Sequence, residues 1–558
     1  MNIIERLKEI IRSAAEEVAG ELGVSDMPDI LLEAPKDKKL ADLSSNVAMQ
    51  LCKGKKGLRP LEIADRICCI ANAGIKKEGV DADIRCIEAK PPGFINIHFS
   101  ESYLQAVLED ISANGQEFGS SSIGNGRKAL LEFVSANPTG PLSVAHGRQA
   151  AVGDAIANIL EFAGYKVQRE YYLNDEGNQI VVLGKSIHAR YCELIGEMQP
   201  FPEDGYRGDY IYDIAKKIIE NHGKSLITLD KKSLELFCDF GIKYIMDLIK
   251  QDLDDFQIRF DNYFSQRKLS EAGSVEKALE KLKEKGVIYE KDNALWFGSS
   301  CFGDDKDRVL RKSDSSYTYI TPDIAYHEDK FRRGFDWLID LWGPDHHGYI
   351  PRLKAASRAM GRDDNALSLL IIQLVTLSRA GKPVPMSTRS GEFITLREVM
   401  DEVGKDVAKF FFLIRRKDSH LDFDLELAKK ESMENPIYYI QYAHARICGI
   451  LEYKEKLQFA HREANDLKLL NTEEELSVLR MLREFPDTIE WSAQNLEPHI
   501  LLLYLMDMAS SFHSFYTKCR VVSEDKRLSS ARLFLVECLK TVFSKSLALL
   551  GITCPEKM

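Results

Sequence analysis

Phe133-Val134-Ser135-Ala136-Asn137-Pro138-Thr139-Gly140-Pro141-Leu142-Ser143-Val144-Ala145-His146-Gly147-Arg148 decides how this 558-residue chain is read. Before it, Ala129-Leu130-Leu131-Glu132-Phe133-Val134 is an apolar run that reads as a buried strand. After it, from Gln149 to Phe162, apolar residues recur at helical spacing. Strand, Pro/Gly-rich turn and helix start, in that order, aim unpaired backbone N–H groups and the positive end of a helix at one point, which suits a phosphate. Ser143 and His146, three apart, share one helix face. The same unit is also common scaffolding in α/β proteins, with the His as a capping or packing residue. From these residues alone both readings stay open.

Outward from this unit the chain alternates strand-like and helix-like pieces at 128–134, 147–163, 166–173, 336–342, 349–360 and 371–378. That order predicts an α/β fold: a Rossmann-like, doubly wound parallel sheet with helices on both faces, spanning about 127–435. A mostly helical insertion at about 185–300 interrupts it. Residues 1–115 read as a small separate α/β domain, with helical patterns at 2–22 and 60–77 and a strand at Gly93-Phe94-Ile95-Asn96-Ile97-His98-Phe99. Gly119-Ser120-Ser121-Ser122-Ile123-Gly124-Asn125-Gly126 has the composition of a flexible joint. From Asn435-Pro436 onward strand signals vanish, and amphipathic patterns at 436–456, 473–492, 497–518 and 530–550 predict an all-α bundle over 436–558.

The length calls for three or four domains, and 44% hydrophobic with 29% charged residues is ordinary for folded cores. Eleven cysteines form no C-x-x-C pair, so reduced structural thiols in a cytoplasmic protein are expected. The start, Met1-Asn2-Ile3-Ile4-Glu5-Arg6, opens an amphipathic helix rather than a signal peptide, and the longest apolar run, Leu369 to Leu377, is too short to span a bilayer. The net charge of −11 opposes a simple nucleic-acid binder, but phosphate binding needs only a local patch. Lys36, Lys38, Lys39, Lys53, Lys55, Lys56 and Arg59 face only Asp37 and Asp42, and form either such a patch or a solvated surface.

Four further constellations carry chemistry. Glu132 and Asn137 bracket the end of the first strand, where open α/β sheets bind ligands, and a buried Glu there needs a cationic partner or stays protonated. Tyr319 and Asp323, four apart, share a helix face; the carboxylate fits a guanidinium in two-point geometry or, alternatively, caps the helix after Pro322. Trp342-Gly343-Pro344-Asp345-His346-His347-Gly348-Tyr349 ends a strand-like run. Gly for close approach, with Asp and His for hydroxyl contacts, suits a ribose better than a metal, because adjacent His point apart. Tyr439, Tyr442 and Arg446 lie on one helix face, either as bundle core or as a platform for unpaired bases.

Taken in order, these boxes resemble the arginyl-tRNA synthetases of bacterial type, within class I aminoacyl-tRNA synthetases, over essentially the whole chain. Ser143-Val144-Ala145-His146 stands at the His-x-Gly-His signature, with Ser and Ala at two of its positions. Gly343, Asp345 and His346 match Gly-x-Asp-His. Gly381 to Phe393 stands at Lys-Met-Ser-Lys-Ser: Met386 and Ser387 fit, both lysine positions fall on Pro385 and Thr388, and Arg389 keeps one cation, with Lys382 and Arg148 as other sources of charge. The resemblance implies ATP contacts from Ser143, Ala145, His146, Gly147, Gly343, Asp345, His346, Met386, Ser387 and Arg389, of which Ser143, His146 and Arg389 act in catalysis. It implies an arginine pocket of Glu132, Asn137, Asp175, Gln179, Tyr319, Asp323 and His347. It implies tRNA contacts from Phe94 and Asn96 at the elbow, and from Tyr439, Tyr442, Arg446 and Met558 at the anticodon.

The implied reaction joins L-arginine to tRNA(Arg) through an adenylate, with Mg²⁺ travelling on ATP and no protein-caged metal. A monomer without DNA or membrane partners is expected. A tRNA-binding paralogue with degenerate ATP boxes would account for Ser143, Ala145, Pro385 and Thr388 but has no need of an arginine pocket. A class I synthetase for another amino acid has no need of paired carboxylates suited to a cation.

Overall fold

The computed structural model describes residues 3–24, 26–35, 40–55, 57–379, 381–384, 394–457 and 464–558. At the N-terminus, helices Ile3–Glu21 and Pro60–Lys77 cover an antiparallel sheet of β1 (Leu43–Ser45), β2 (Ile84–Lys90) and β3 (Phe94–Phe99) in the order β1-β3-β2. Leu7, Ile10, Ile11, Ala14 and Val18 give the first helix one apolar stripe, and all are buried. The next helix, Glu101–Asn114, starts where the Ser100 hydroxyl accepts the Tyr103 N–H at 3.1 Å. It docks on the far end of the chain, with the Gln105 side chain donating to the Leu470 carbonyl at 3.1 Å.

Residues 119–126 are pinned rather than loose. Ser121 N–H, Gly124 N–H and Gly126 N–H bond to the carbonyls of Phe162, Ala163 and Gly164, and the Ser121 hydroxyl donates to Glu490 at 2.5 Å. The glycines serve close approach: a Cβ on Gly119 would stand 2.5 Å from the Phe485 ring, and one on Gly124 would stand 2.4 Å from the Tyr165 nitrogen.

The central sheet begins with β4 (Lys128–Glu132), β5 (Lys166–Leu173) and β6 (Asn262–Ser265). A small antiparallel sheet of β7 (Ile288–Lys291), β8 (Ala294–Phe297) and β9 (Arg308–Arg311) intervenes, and β10 (Trp337–Trp342) and β11 (Leu367–Ile371) complete the five strands. All pair in parallel, in the order β11-β10-β4-β5-β6. Period-two alternation divides β4 between two faces. Leu131 and Phe133 join the core under helix Val144–Phe162, whereas Leu130 packs with Leu338, Leu353, Leu367 and Phe331 of helix Ile320–Arg332.

Two expectations change here. The 185–300 segment is not purely an insertion, because its β6 closes one edge of the central sheet. The strand expected at 371–378 is two strands: the chain leaves β11 at Ile371 and re-forms as β12 (Val375–Arg379), which pairs with β13 (Lys382–Pro383) and β14 (Leu421–Asp424) in another sheet.

Helices Pro436–Leu457, Glu473–Asn495, His499–Lys518 and Lys526–Leu549 form the C-terminal bundle. An Asp42–Arg480 ion pair at 2.9 Å ties it to the N-terminal domain. Among the described residues no helix is long and apolar enough to cross a membrane.

Candidate active site

Three strands present acids at one level. Register places Asp340 of β10 beside Glu132 of β4, Glu132 beside Glu170 of β5, and Glu170 beside Asn262 of β6. Neighbours in register in a parallel sheet share a face, so three carboxylates line up under helix Ile320–Arg332. That helix answers with Tyr326, His327 and Lys330, and Arg333 follows at its end. Arg333 holds both Glu170 oxygens at 2.5 and 2.7 Å, Tyr326 donates to one at 2.7 Å and Asn262 to the other at 2.6 Å. Lys330, fully buried, reaches Glu132 at 2.6 Å and Asp340 at 2.8 Å. The cationic partner that a buried Glu132 requires is therefore Lys330, 198 residues away.

Burial pushes the Glu132 carboxyl up, with Lys330 opposing it. Asp340 is held down at about 2: Lys330 and then His327 outweigh the upward push of burial. Asp323, one turn before His327, makes no ion pair among the described residues, and burial pushes its carboxyl up. Burial, then Asp323 and then Glu132 push up the Tyr172 hydroxyl of β5, so both carboxylates act on the same spot. Tyr349 brings a buried hydroxyl to the site from the turn after β10. Tyr319 stays apart. It is 90% exposed at the start of the helix.

The turn after β4 is strained. Val134 and Ser135 both adopt positive φ, 67° and 38°, where a β-branched residue is rare. The Ser135 hydroxyl donates to Glu132 at 3.0 Å and accepts the Tyr172 N–H at 3.0 Å, so the strain is held by the same residues that fix Glu132. Asn137 is exposed beyond it. Asp175 is buried and engaged by its own chain: Ser265 Oγ and the Arg267 N–H each donate to one oxygen, at 2.6 and 2.9 Å, which fixes the turn after β6. Gln179 is exposed.

Helix Val144–Phe162 begins at the carboxyl end of β4. The His146 Nδ1 accepts the Ser143 N–H at 3.1 Å, so the proton of the neutral ring is on Nε2. Burial pushes His146 down to about 4, so at neutral pH it is an uncharged donor. Ala145 is half-buried and Gly147 buried; a Cβ on Gly147 would stand 2.7 Å from Leu396. The helix start is stitched to the segment that precedes helix Leu396–Val403, with the Leu396 N–H donating to the Leu142 carbonyl at 2.8 Å. Met386, Ser387 and Arg389, with Pro385 and Thr388, lie outside the described residues. Arg148 is not a free cation: its guanidinium is buried and donates to the Gln373, Arg416 and Ser419 carbonyls at 2.8–2.9 Å. Gly343 starts the turn after β10, next to the β4 loop, and Asp345, His346 and His347 are exposed there.

Away from the sheet, Asn96 differs from expectation. It is 4% exposed, accepts from the Ser44 hydroxyl at 2.8 Å and donates to the Leu40 carbonyl at 3.3 Å, so its amide is spent on joining β1 to β3. Phe94, Lys53, Lys55 and Arg59 are exposed; Lys36, Lys38, Lys39 and Lys56 lie outside the described residues.

In the bundle, Tyr438 stacks on Tyr442 at 6.3 Å, and His513 of the neighbouring helix lies 4.6 Å from Tyr439 and 6.0 Å from Tyr442. The Arg446 guanidinium sits over Tyr442 and Tyr516, 5.3 and 4.9 Å from their centres. The final segment passes beside this cluster: His444 donates to the Pro555 carbonyl at 2.9 Å, and Met558 is exposed.

Comparison with known proteins agrees with this architecture. Residues 5–99 match the family model of the arginyl tRNA synthetase N-terminal domain, 107–438 that of the class I (R) tRNA synthetase catalytic domain, and 440–558 that of the DALR anticodon binding domain. The chain is similar to the arginine–tRNA ligase of Syntrophotalea carbinolica, 46% identical over 99% of this chain and 100% of the relative. It is similar to that of Shouchella clausii, 47% identical over 100% of both. The solved arginyl-tRNA synthetase of Thermus thermophilus superposes with a TM-score of 0.75 at 21% identity, covering 99% of this chain and 100% of that one, and shares its fold. With domain models along its length and close full-length relatives, the chain belongs to the arginyl-tRNA synthetase family.

Proposed function

We propose that the chain ligates L-arginine to tRNA(Arg) using ATP. The observation that carries this is the acid row on β10, β4 and β5: Glu170 is saturated and Asp340 is taken up by Lys330 and His327, whereas Asp323 above it makes no ion pair among the described residues. A guanidinium supplies the missing charge and enough donors for Asp323 and Glu132 together. Asn137, Asp175, Gln179, Tyr319 and His347 are proposed to contact arginine as well.

The arginine carboxylate then attacks the ATP α-phosphorus in line. A carboxylate-oxygen–phosphorus bond forms, the bond to the β-phosphate oxygen breaks, and pyrophosphate leaves. In the second step the terminal ribose hydroxyl of tRNA attacks the arginyl carbonyl and AMP departs. No side chain is acylated, so the protein positions the reactants and stabilises charge on phosphate. His146 offers its Nε2–H, Ser143 its hydroxyl, and the helix start its backbone N–H groups. Gly343, Asp345 and His346 receive the nucleoside, and Met386, Ser387 and Arg389 are proposed to contact the phosphates. Magnesium arrives with ATP as part of the substrate. The aromatic cluster of Tyr439, Tyr442 and Arg446 offers unpaired anticodon bases flat faces and a cation, with Met558 beside it. The reading carries with it a monomeric cytoplasmic enzyme.

Pyrophosphate exchange into ATP, measured with each amino acid in turn and with and without tRNA(Arg), tests the proposal. Exchange dependent on arginine is expected. Exchange with another amino acid, or with none, overturns it. Within an active enzyme, Arg389→Ala is expected to slow adenylate formation while arginine Kd holds.

A further inference from the structure

His327 is the one ring in the acid cluster whose two nitrogens both face acceptors. Nε2 lies 2.7 Å from Asp340 Oδ2 and Nδ1 lies 2.8 Å from the Asp323 carbonyl oxygen. A peptide carbonyl has no proton to give. Asp340 is ionised, because Lys330 holds its other oxygen at 2.8 Å. A neutral imidazole has one N–H and would turn a lone pair on one of these oxygens; only the doubly protonated ring makes both bonds. His327 is 7% exposed, so water does not relieve the mismatch.

The groups facing it are few. Asp340 comes from β10, and Glu132 from β4 through Lys330. Asp323, Lys330 and the Tyr326 ring, 5.7 Å away, come from its own helix. We infer that His327, donating through both ring nitrogens, is the second cation of the arginine pocket and sets its charge: with Lys330 it balances Glu132 and Asp340, leaving Asp323, among the described residues of the cluster, as the carboxylate without a cation for a single guanidinium. It is a positioning residue, because it touches the backbone of Asp323 and the partner of Lys330 rather than the substrate. Without its charge the cluster holds an excess of anions that burial does not tolerate, and a proton settles on one carboxyl. The inference rests on the arginine reading of Asp323 and Glu132.

The test begins with a measurement that needs no substrate. Nitrogen-15 spectra of the full-length protein with labelled histidine, compared with those of His327→Gln to assign the signal, are expected to show both His327 nitrogens protonated at pH 8. A neutral-tautomer signature there overturns the charge assignment whatever the substrate proves to be. His327→Gln is further expected to raise the arginine KM about tenfold with kcat little changed. That KM is expected to recover as pH rises, because the carboxyl left without its cation ionises only at higher pH. His327→Lys, which returns a cation, should restore part of the KM at neutral pH. A His327→Gln enzyme whose arginine KM matches wild type at every pH overturns the positioning role even if the ring is doubly protonated. An enzyme that fails to use arginine at all, with both nitrogens protonated, overturns the substrate reading and leaves the charge assignment standing.

Discussion

In the proposed arginine pocket, Asp323 is the carboxylate without an ion-pair partner among the described residues. Asp323→Asn keeps its size and removes its charge, and the loss of a buried charge-assisted contact should cost roughly 2–5 kcal/mol of transition-state binding. Aminoacylation kinetics with arginine would show this as a fall in kcat/KM; an unchanged value would remove Asp323 from the pocket. His146 makes the opposite kind of prediction, since it works uncharged. Its folded-state pKa is depressed from 6.5 to about 4. The folded protein therefore binds this proton less readily than the unfolded chain, so the stability His146 contributes is complete above about 6.5 and is lost as pH falls toward about 4. His146→Ala should flatten that part of the denaturation midpoint against pH. It should also lower the rate of pyrophosphate release, measured before steady state with tRNA present, by roughly one to two orders of magnitude.

At the level of elements, the contact between helix Val144–Phe162 and β4 is tuned by a missing methyl. A Cβ on Gly153 would stand 2.4 Å from the Phe133 ring. Gly153→Ala gains about 1 kcal/mol of helix propensity but forces Phe133 off the helix, and overpacking of this kind costs about 1–3 kcal/mol. The melting temperature should fall or stay level rather than rise, and arginine KM should rise, because Phe133 follows Glu132 directly. A clear rise in melting temperature with unchanged KM would show that the interface has slack. Legibility in the sequence follows the same contrast. The apolar run of β4 and the long amphipathic helices are readable, since burial on one face leaves a period. β6 is not, because Asn262-Tyr263-Phe264-Ser265 is short, polar at both ends and half-buried throughout. Lys330 and His327 do not stand out in the sequence either. A signal exists, since Asp323, Tyr326, His327 and Lys330 repeat at three and four residues along one helix, but nothing local says that this polar stripe faces inward onto an acid row. The glycines of 119–126 mislead for the same reason: composition cannot separate freedom from close approach.

At the level of the whole molecule, the N-terminal domain and the bundle are joined by Asp42–Arg480 and by helix Glu101–Asn114. A truncation through residue 115 would therefore strip the bundle as well as the domain, and charge reversal probes the surface more cleanly. Lys53→Glu, Lys55→Glu and Arg59→Glu together should weaken tRNA binding and reduce its salt dependence, by up to about one unit of log–log slope for each phosphate no longer bound. An unchanged slope would exclude this face. Asn96→Ala should leave the slope alone and lower stability by about 1 kcal/mol, because it removes the hydrogen bonds that the buried Asn96 amide makes with the Ser44 hydroxyl and the Leu40 carbonyl.

The order of strands in the central sheet, β11-β10-β4-β5-β6, also has a consequence for synthesis. The partner of β4 on one side lies about 200 residues downstream, and ribosomes add about 5–20 residues per second. For about 10–40 s each nascent chain therefore carries β4 with one open flank and with Glu132 still lacking the lysine that will neutralise it. Chaperone capture or slow codons between Ser265 and Trp337 would act on that interval, and any stall there would expose the half-built sheet to its neighbours on the same messenger.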